Sequence, residues 1–275
     1  MGKKRKTTKI ILTGILFIFG ICMIYPFIWM VLSSFKSNIT IAQEPFSFPI
    51  SGMSNENYVT VFGKFKLFRA YGNSLLVAFI STYFVLVTST MAGYIFAKYD
   101  FFGKEILFFM VLGILMLPEY VIVIPLYILV TKLNLLNTYT GLALPFLVDA
   151  FGVFLMRQFI SSLPDSLIES ARLDGASEIK IFMKIVLPLS MSSISVLAIL
   201  VFLWNWDRFL WPIIITQSEQ MRTLPVLLAY FNQGETDMPG PSMAACTIAI
   251  IPVLIVYTIF QKNFIKGIAM SGLKY

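Results

Sequence analysis

The sequence predicts an all-α membrane protein of six transmembrane helices, with an amphipathic cytoplasmic helix–turn–helix between the fourth and the fifth. Three observations lead there. Apolar residues make up 58% of the 275 and the mean hydropathy is +0.83, far above a soluble globular domain. Charged residues, 13% of the chain, are clustered, and they leave apolar runs of the roughly 20 residues that a helical crossing needs. The basic clusters also fall on alternate sides of those runs, more heavily on one, as the positive-inside rule requires. The chain therefore reads as one integral membrane domain over residues 1–275.

The first span covers about residues 10–32, behind Lys3, Lys4, Arg5, Lys6 and Lys9. Its apolar run is too long for a signal peptide and lacks a small-residue cleavage site, so a retained helix with its N-terminus inside is expected. Residues 33–71 form a polar connection holding Pro45, Pro49, Asn55 and Asn57. Within it, Tyr58 to Phe68 mixes aromatics with Lys64 and Lys66 and suits the outer membrane surface. The second span is 73–97, where Asn73 fits either a helix cap or a pathway residue. The third, 106–130, contains Pro118 and Pro125. Each proline frees a carbonyl, so a kink and local polarity are expected near Glu119. The fourth, 141–157, is short and carries Asp149. The fifth and sixth are 189–215 and 242–260, and the tail 261–275 returns to the cytoplasm.

Between the fourth and fifth spans, residues 158–188 are charge-rich and helically patterned. Leu163, Leu167, Ile168 and Ala171 recur on one face, with Asp165, Glu169 and Arg172 on the other. Pro164-Asp165 suits a first helical turn, and Asp174-Gly175 reads as a stop, since glycine accepts the left-handed conformation found there. A second stretch sets Ile179, Phe182, Met183 and Val186 against Lys180 and Lys184, ending at Pro188. Counted along the six spans, the basic residues concentrate on the side that holds this loop, which places it in the cytoplasm.

Several function classes are disfavoured. The chain has no histidine, the commonest general base and metal ligand. Cys22 and Cys246 sit within apolar runs without disulfide or zinc spacing, so no metal site is expected. There is no G-x-x-x-x-G-K-[ST] to hold a nucleotide. The net charge of +7 gathers at membrane edges, which topology explains better than nucleic acid does.

Glu169-Ser170-Ala171, three residues, Gly175, nine residues, then Ile185-Val186-Leu187-Pro188 resembles the EAA loop of ABC-importer permeases, EAA-x3-G-x9-I-x-LP. Ser170 stands where that motif has its second alanine. The resemblance covers nearly the whole chain and points to the permeases of bacterial carbohydrate importers, the maltose-type group. It implies a coupling helix, with Glu169, Ser170, Ala171, Asp174, Gly175, Leu187 and Pro188 fitting a cleft on an ATPase. It further implies a heterodimer with a second permease subunit, two ATPase subunits that bind ATP and magnesium, and an extracellular solute-binding protein. This chain would then bind no cofactor and would not itself be an enzyme. It would sit among the lipids of the bacterial inner membrane with both termini cytoplasmic. The tail from Phe264 to Tyr275 resembles the glycine- and lysine-containing end of those permeases.

Polar groups inside spans are costly and usually mark a pathway. The fifth span carries Trp204-Asn205-Trp206-Asp207-Arg208, with Trp211 beyond, and resembles the WN-x-F/L-x-P pattern of sugar permeases. Trp204, Arg208 and Trp211 are expected to share a helical face. Aromatic faces take the C–H side of a sugar, while amides and carboxylates bond its hydroxyls. The same tryptophans also suit an aromatic belt at the outer interface. Asn205 and Asp207 are the stronger pathway candidates, because lipid tolerates neither; Glu119 and Asp149 are further candidates that also fit hydrogen bonding at helix breaks. Arg208 leaves open a glycerol-phosphate or polyol substrate. An ion-driven secondary transporter would need an internal repeat, and the two halves show none.

Overall fold

The computed structural model describes the backbone of residues 2–47, 52–231 and 238–272, with side chains described over 8–47, 52–63, 65–231 and 238–261. The N-terminal Lys3, Lys4, Arg5 and Lys6 side chains, Pro49, the Lys64 side chain and the side chains of the tail from Lys262 onward lie outside the described residues. Every regular element among the described residues is helical, so the all-α expectation holds. By length and composition, Thr8–Ser33, Leu67–Lys98, Met191–Ile215 and Pro239–Gln261 each suffice to cross a membrane. Two bent pairs bring the total to as many as six: Lys104–Leu115 with Glu119–Lys132, bent by 101°, and Tyr139–Phe146 with Ala150–Ser161, bent by 41°.

The chain divides into two compact units, residues 1–68 with 227–251, and residues 69–226 with 252–275. In the first unit, α1 (Gly2–Ser33) is followed by α2 (Asn38–Gln43) and α3 (Glu56–Lys64). The connection after α1 is folded rather than a plain polar linker. Ser37 accepts from the Thr40 N–H and so caps α2 at 3.1 Å. The Asn57 amide donates to the carbonyls of Ser34 and Lys36 at 2.9 and 2.8 Å. The buried Lys36 ammonium is met by the Pro45 carbonyl at 3.3 Å.

The second unit holds most of α4 (Leu67–Lys98), then α5 (Lys104–Leu115), α6 (Glu119–Lys132), α7 (Tyr139–Ala143) and α8 (Ala150–Ser161). The hairpin follows as α9 (Asp165–Leu173) and α10 (Glu178–Ile181); then come α11 (Leu187–Leu189), α12 (Met191–Trp206) and α13 (Leu210–Ile215), while α14 (Leu224–Tyr230) and α15 (Pro239–Gly272) each have residues in both units. Asn73 lies inside α4 rather than at its start, and its amide donates to the carbonyls of Gln220 and Arg222 at 2.8 and 2.9 Å, tethering the loop between α13 and α14. Helices α4 and α8 touch closely. A Cβ on Gly93 would stand 2.6 Å from the Met156 Cβ, and one on Gly152 would stand 2.3 Å from the Ser89 Oγ. Small residues permit this approach, as is usual where helices associate in lipid.

Two apolar clusters organise this unit. One joins Val77, Val130, Leu142, Ala143, Trp211 and Ile215. The other joins Val85, Met156, Ile160, Leu197 and Val201 of the spans to Ile168, Ile181 and Val186 of the hairpin, so the hairpin is seated on the spans by its own core residues.

Candidate functional site

The hairpin departs from the expected pattern in an instructive way. In α9, Ile168 is buried and Ala171 half-buried, but Leu167 turns outward and is 45% exposed. In the second limb, Ile179 and Met183 are exposed, whereas Ile181 and Val186 are buried. Within the second limb a π-helical turn over Phe182–Val186 brings Val186, five residues after Ile181, to the buried side. Its wider winding shifts the apolar face from the 3.6-residue period used to read it. The same turn leads into Pro188, which does not end the helix. It lies in the short α11, and only Ser190 separates that from α12. Proline lacks the N–H of an α-helical bond and crowds the carbonyl four residues back, and a π turn is one way for a helix to accept it.

At the tip, Asp174 closes α9 and Gly175 has φ of +75°. The Ala176 N–H donates to the Ala171 carbonyl and the Gly175 N–H to the Arg172 carbonyl, both at 3.0 Å. This pair of bonds is the Schellman cap, and it needs a residue that tolerates positive φ. Ser177 then caps the second limb. Glu169, Ser170, Asp174 and Gly175 are exposed around this tip, with Leu173 exposed at 90%. Leu187 is half-buried and Pro188 exposed at the far end of the second limb.

Beneath the tip, the polar-face residues Arg172 and Asp165 meet partners that the sequence patterns do not single out. Arg172 Nε donates to Glu178 Oε1 at 2.6 Å across the turn, and the Tyr99 hydroxyl donates to Glu178 Oε2. Hydrogen bonds from Arg172 and then Tyr99 hold the Glu178 carboxyl below its ordinary range, and the same partner raises Arg172. Lys98 Nζ meets Asp165 Oδ1 and the Leu163 carbonyl, each at 2.6 Å. Residue spacing offers no signal for Glu178 or Tyr99, because they meet from segments 79 positions apart.

Within the spans, three of the candidate pathway residues converge. Arg208 pairs with Glu119, and its guanidinium lies 3.5 Å above the centre of the Phe146 ring. Asp149 stands close enough to interact with it electrostatically. Both acids sit at helix breaks. Glu119 opens α6 after Pro118, and Asp149 caps α8 by accepting from the Gly152 N–H at 2.6 Å. Trp211 is buried against Phe146 and donates to the Gly141 carbonyl at 3.0 Å.

The expected common face of Trp204, Arg208 and Trp211 does not form, because α12 ends at Trp206 and α13 begins only at Leu210. Trp204 instead packs edge-on to Phe151 at 5.4 Å and is 44% exposed. The Asn205 amide donates to the Val201 carbonyl of its own helix at 2.9 Å, and its Oδ1 is buried without a partner. Asp207 is exposed, and among the described residues no side-chain hydrogen bond joins it to Arg208.

Residues 89–270 match the family described as binding-protein-dependent transport system inner membrane component. The chain belongs to that family. The permease is 36% identical to the arabinooligosaccharides transport system permease protein of Halalkalibacterium halodurans, covering 98% of this chain and 99% of that one. It is 34% identical to the sn-glycerol-3-phosphate transport system permease protein of Yersinia pestis over 72% of each chain. Among solved structures, it shares the fold of a bacterial ABC transporter involved in the import of the acidic polysaccharide alginate. There the TM-score is 0.82 at 23% identity, covering 96% of this chain and 99% of that one. The permease is thus a multi-pass inner-membrane protein of a binding-protein-dependent transport system.

Proposed function

We propose that this permease forms half of the translocation pathway of an ATP-driven sugar or oligosaccharide importer, and that its 158–188 loop docks against an ATPase. The observation that carries the reading is the tip at Leu173–Gly175, an exposed apolar and acidic knob held by a Schellman cap on a core-anchored base. A partner that grips such a knob can move the spans as a lever, because the base cannot deform without breaking its packing. The partners are a second permease, two ATPase subunits that bind ATP and magnesium, and an external solute-binding protein. Both termini lie in the cytoplasm. Glu169, Ser170 and Asp174 are the polar contacts of the knob, and Gly175 is its hinge.

On the membrane side, Glu119, Asp149 and Arg208, with Trp204, Asn205 and Asp207 nearby in sequence, are the pathway candidates. A neutral, hydroxyl-rich solute is favoured over a phosphate ester, because the Arg208 charge is already answered by Glu119 and faces Asp149. The identity to an arabinooligosaccharide permease over nearly the full length supports the same choice.

Replacing Gly175 by valine tests the lever. A β-branched residue at positive φ costs at least about 1 kcal/mol and reshapes the cap. Gly175→Val should leave the protein in the membrane and ATP hydrolysis measurable, while uptake of radiolabelled sugar falls at least tenfold. Unchanged uptake in that variant refutes the coupling role.

A further inference from the structure

Two side-chain braces run from the cytoplasmic end of α4 to the two limbs of the hairpin. Lys98, the last residue of α4, has a side chain only 4% exposed. Its ammonium donates to the Leu163 carbonyl and Asp165 Oδ1, which fixes it to the entry of the first limb. Tyr94 and Tyr99 reach the second limb. Both hydroxyls donate to Glu178 Oε2, Tyr94 at 3.3 Å. The core that seats the hairpin on the spans, with Tyr94 among its buried members, is otherwise aliphatic, and apolar packing is non-directional. Hydrogen bonds to charged groups fix direction as well as distance. Beside the second brace lies a hollow of about 740 Å³ lined by Met91, Ile95, Phe101, Ile179 and Phe182 among others. Tyr99 and Glu178 border that hollow at the edge of the core to which Tyr94 belongs, so their contact ties the core to the second limb's surface.

We propose that Lys98, Tyr94, Tyr99 and Glu178 are positioning residues that pass the movement of the hairpin to α4, one brace for each limb. Arg172 acts within the hairpin instead, tying Glu178 to the first limb so that both limbs move together. This proposal rests on the lever reading given above, which the experiment tests separately.

The complete importer, reconstituted in proteoliposomes with its binding protein, is assayed for ATP hydrolysed per solute taken up. Tyr94→Phe/Tyr99→Phe and Lys98→Met should still assemble with the ATPases and hydrolyse ATP, but the ATP consumed per solute should rise several-fold. Glu178→Ala should do the same. Glu178→Gln, which keeps an acceptor oxygen for the tyrosines, should restore most of the coupling; a purely electrostatic role for Glu178 would leave both variants equally impaired. Gly175→Val serves as the reference for a broken lever. A wild-type ratio in the tyrosine and lysine variants, alongside an uncoupled Gly175→Val, overturns the braces alone. A wild-type ratio in all of them overturns the lever as well. If the double tyrosine variant fails to assemble, Tyr99→Phe alone decides the second brace, and a wild-type ratio there refutes it.

Discussion

At the scale of single residues, charge placement governs behaviour both outside and inside the bilayer. Glu178 is the clearest case outside it. Its carboxyl is held below the ordinary 4.5 by Arg172 and Tyr99. A group whose folded pKa is depressed stabilises above its unfolded value and loses that contribution as pH falls through the folded one. Hydrogen-exchange protection of the hairpin amides should therefore be flat from neutral pH down to about 5 and fall below the ordinary carboxylate pKa. In Glu178→Gln the acid step should disappear. Inside the bilayer, Arg208 is partly enclosed, and its Nε is buried without a partner. Removing Glu119 alone leaves Arg208 with only the more distant Asp149 to answer it, whereas removing both takes away the paired charges together. Glu119→Gln should thus lower the melting temperature in detergent more than Glu119→Gln/Arg208→Gln does. A larger loss in the double variant would show that Arg208 is held by other groups.

Among the elements, the contact of α4 with α8 and the two limbs of the hairpin show how far local pattern reaches. Gly93 approaches the Met156–Arg157 backbone so closely that an added Cβ would stand 2.9 Å from it. Gly93→Ala should cost about 1–3 kcal/mol by overpacking, seen as a lower thermal midpoint than wild type with the helix content retained. Of the hairpin, the bounds of the first limb are readable from the sequence through Pro164 and Gly175, and its buried face in part, since Ile168 is buried but Leu167 is not. The second limb is not, because the π turn at 182–186 changes the period that such a reading assumes. The fifth span misleads for a related reason. A continuous helix would align Trp204, Arg208 and Trp211, but the break at 207–209 redirects Arg208 toward Glu119 on α6. That partner is 89 positions away, beyond any periodic signal. Glu119 and Asp149, by contrast, are legible as acids beside helix breakers in apolar sequence.

Taken whole, the molecule is a multi-pass membrane protein, and the orientation expected from its basic clusters can be measured directly. With Cys22 and Cys246 replaced, a cysteine at the exposed position of Asp174 should react only with reagents delivered from the cytoplasm, and one at exposed Lys132 only from outside. Labelling of both from one side would overturn the orientation drawn from the basic clusters. The sharpest bend has one more implication. Between α5 and α6 the chain turns by 101° over Met116–Pro118, and Met116 is 83% exposed there. A helix end leaves peptide groups without partners inside the helix, and hydrocarbon offers them none. A break of this kind within hydrocarbon cannot be wrapped by acyl chains on every side. If the pair is one broken span, water or another polypeptide lies against residues 115–119, and the subunit then has a wet or proteinaceous flank as well as a greasy one.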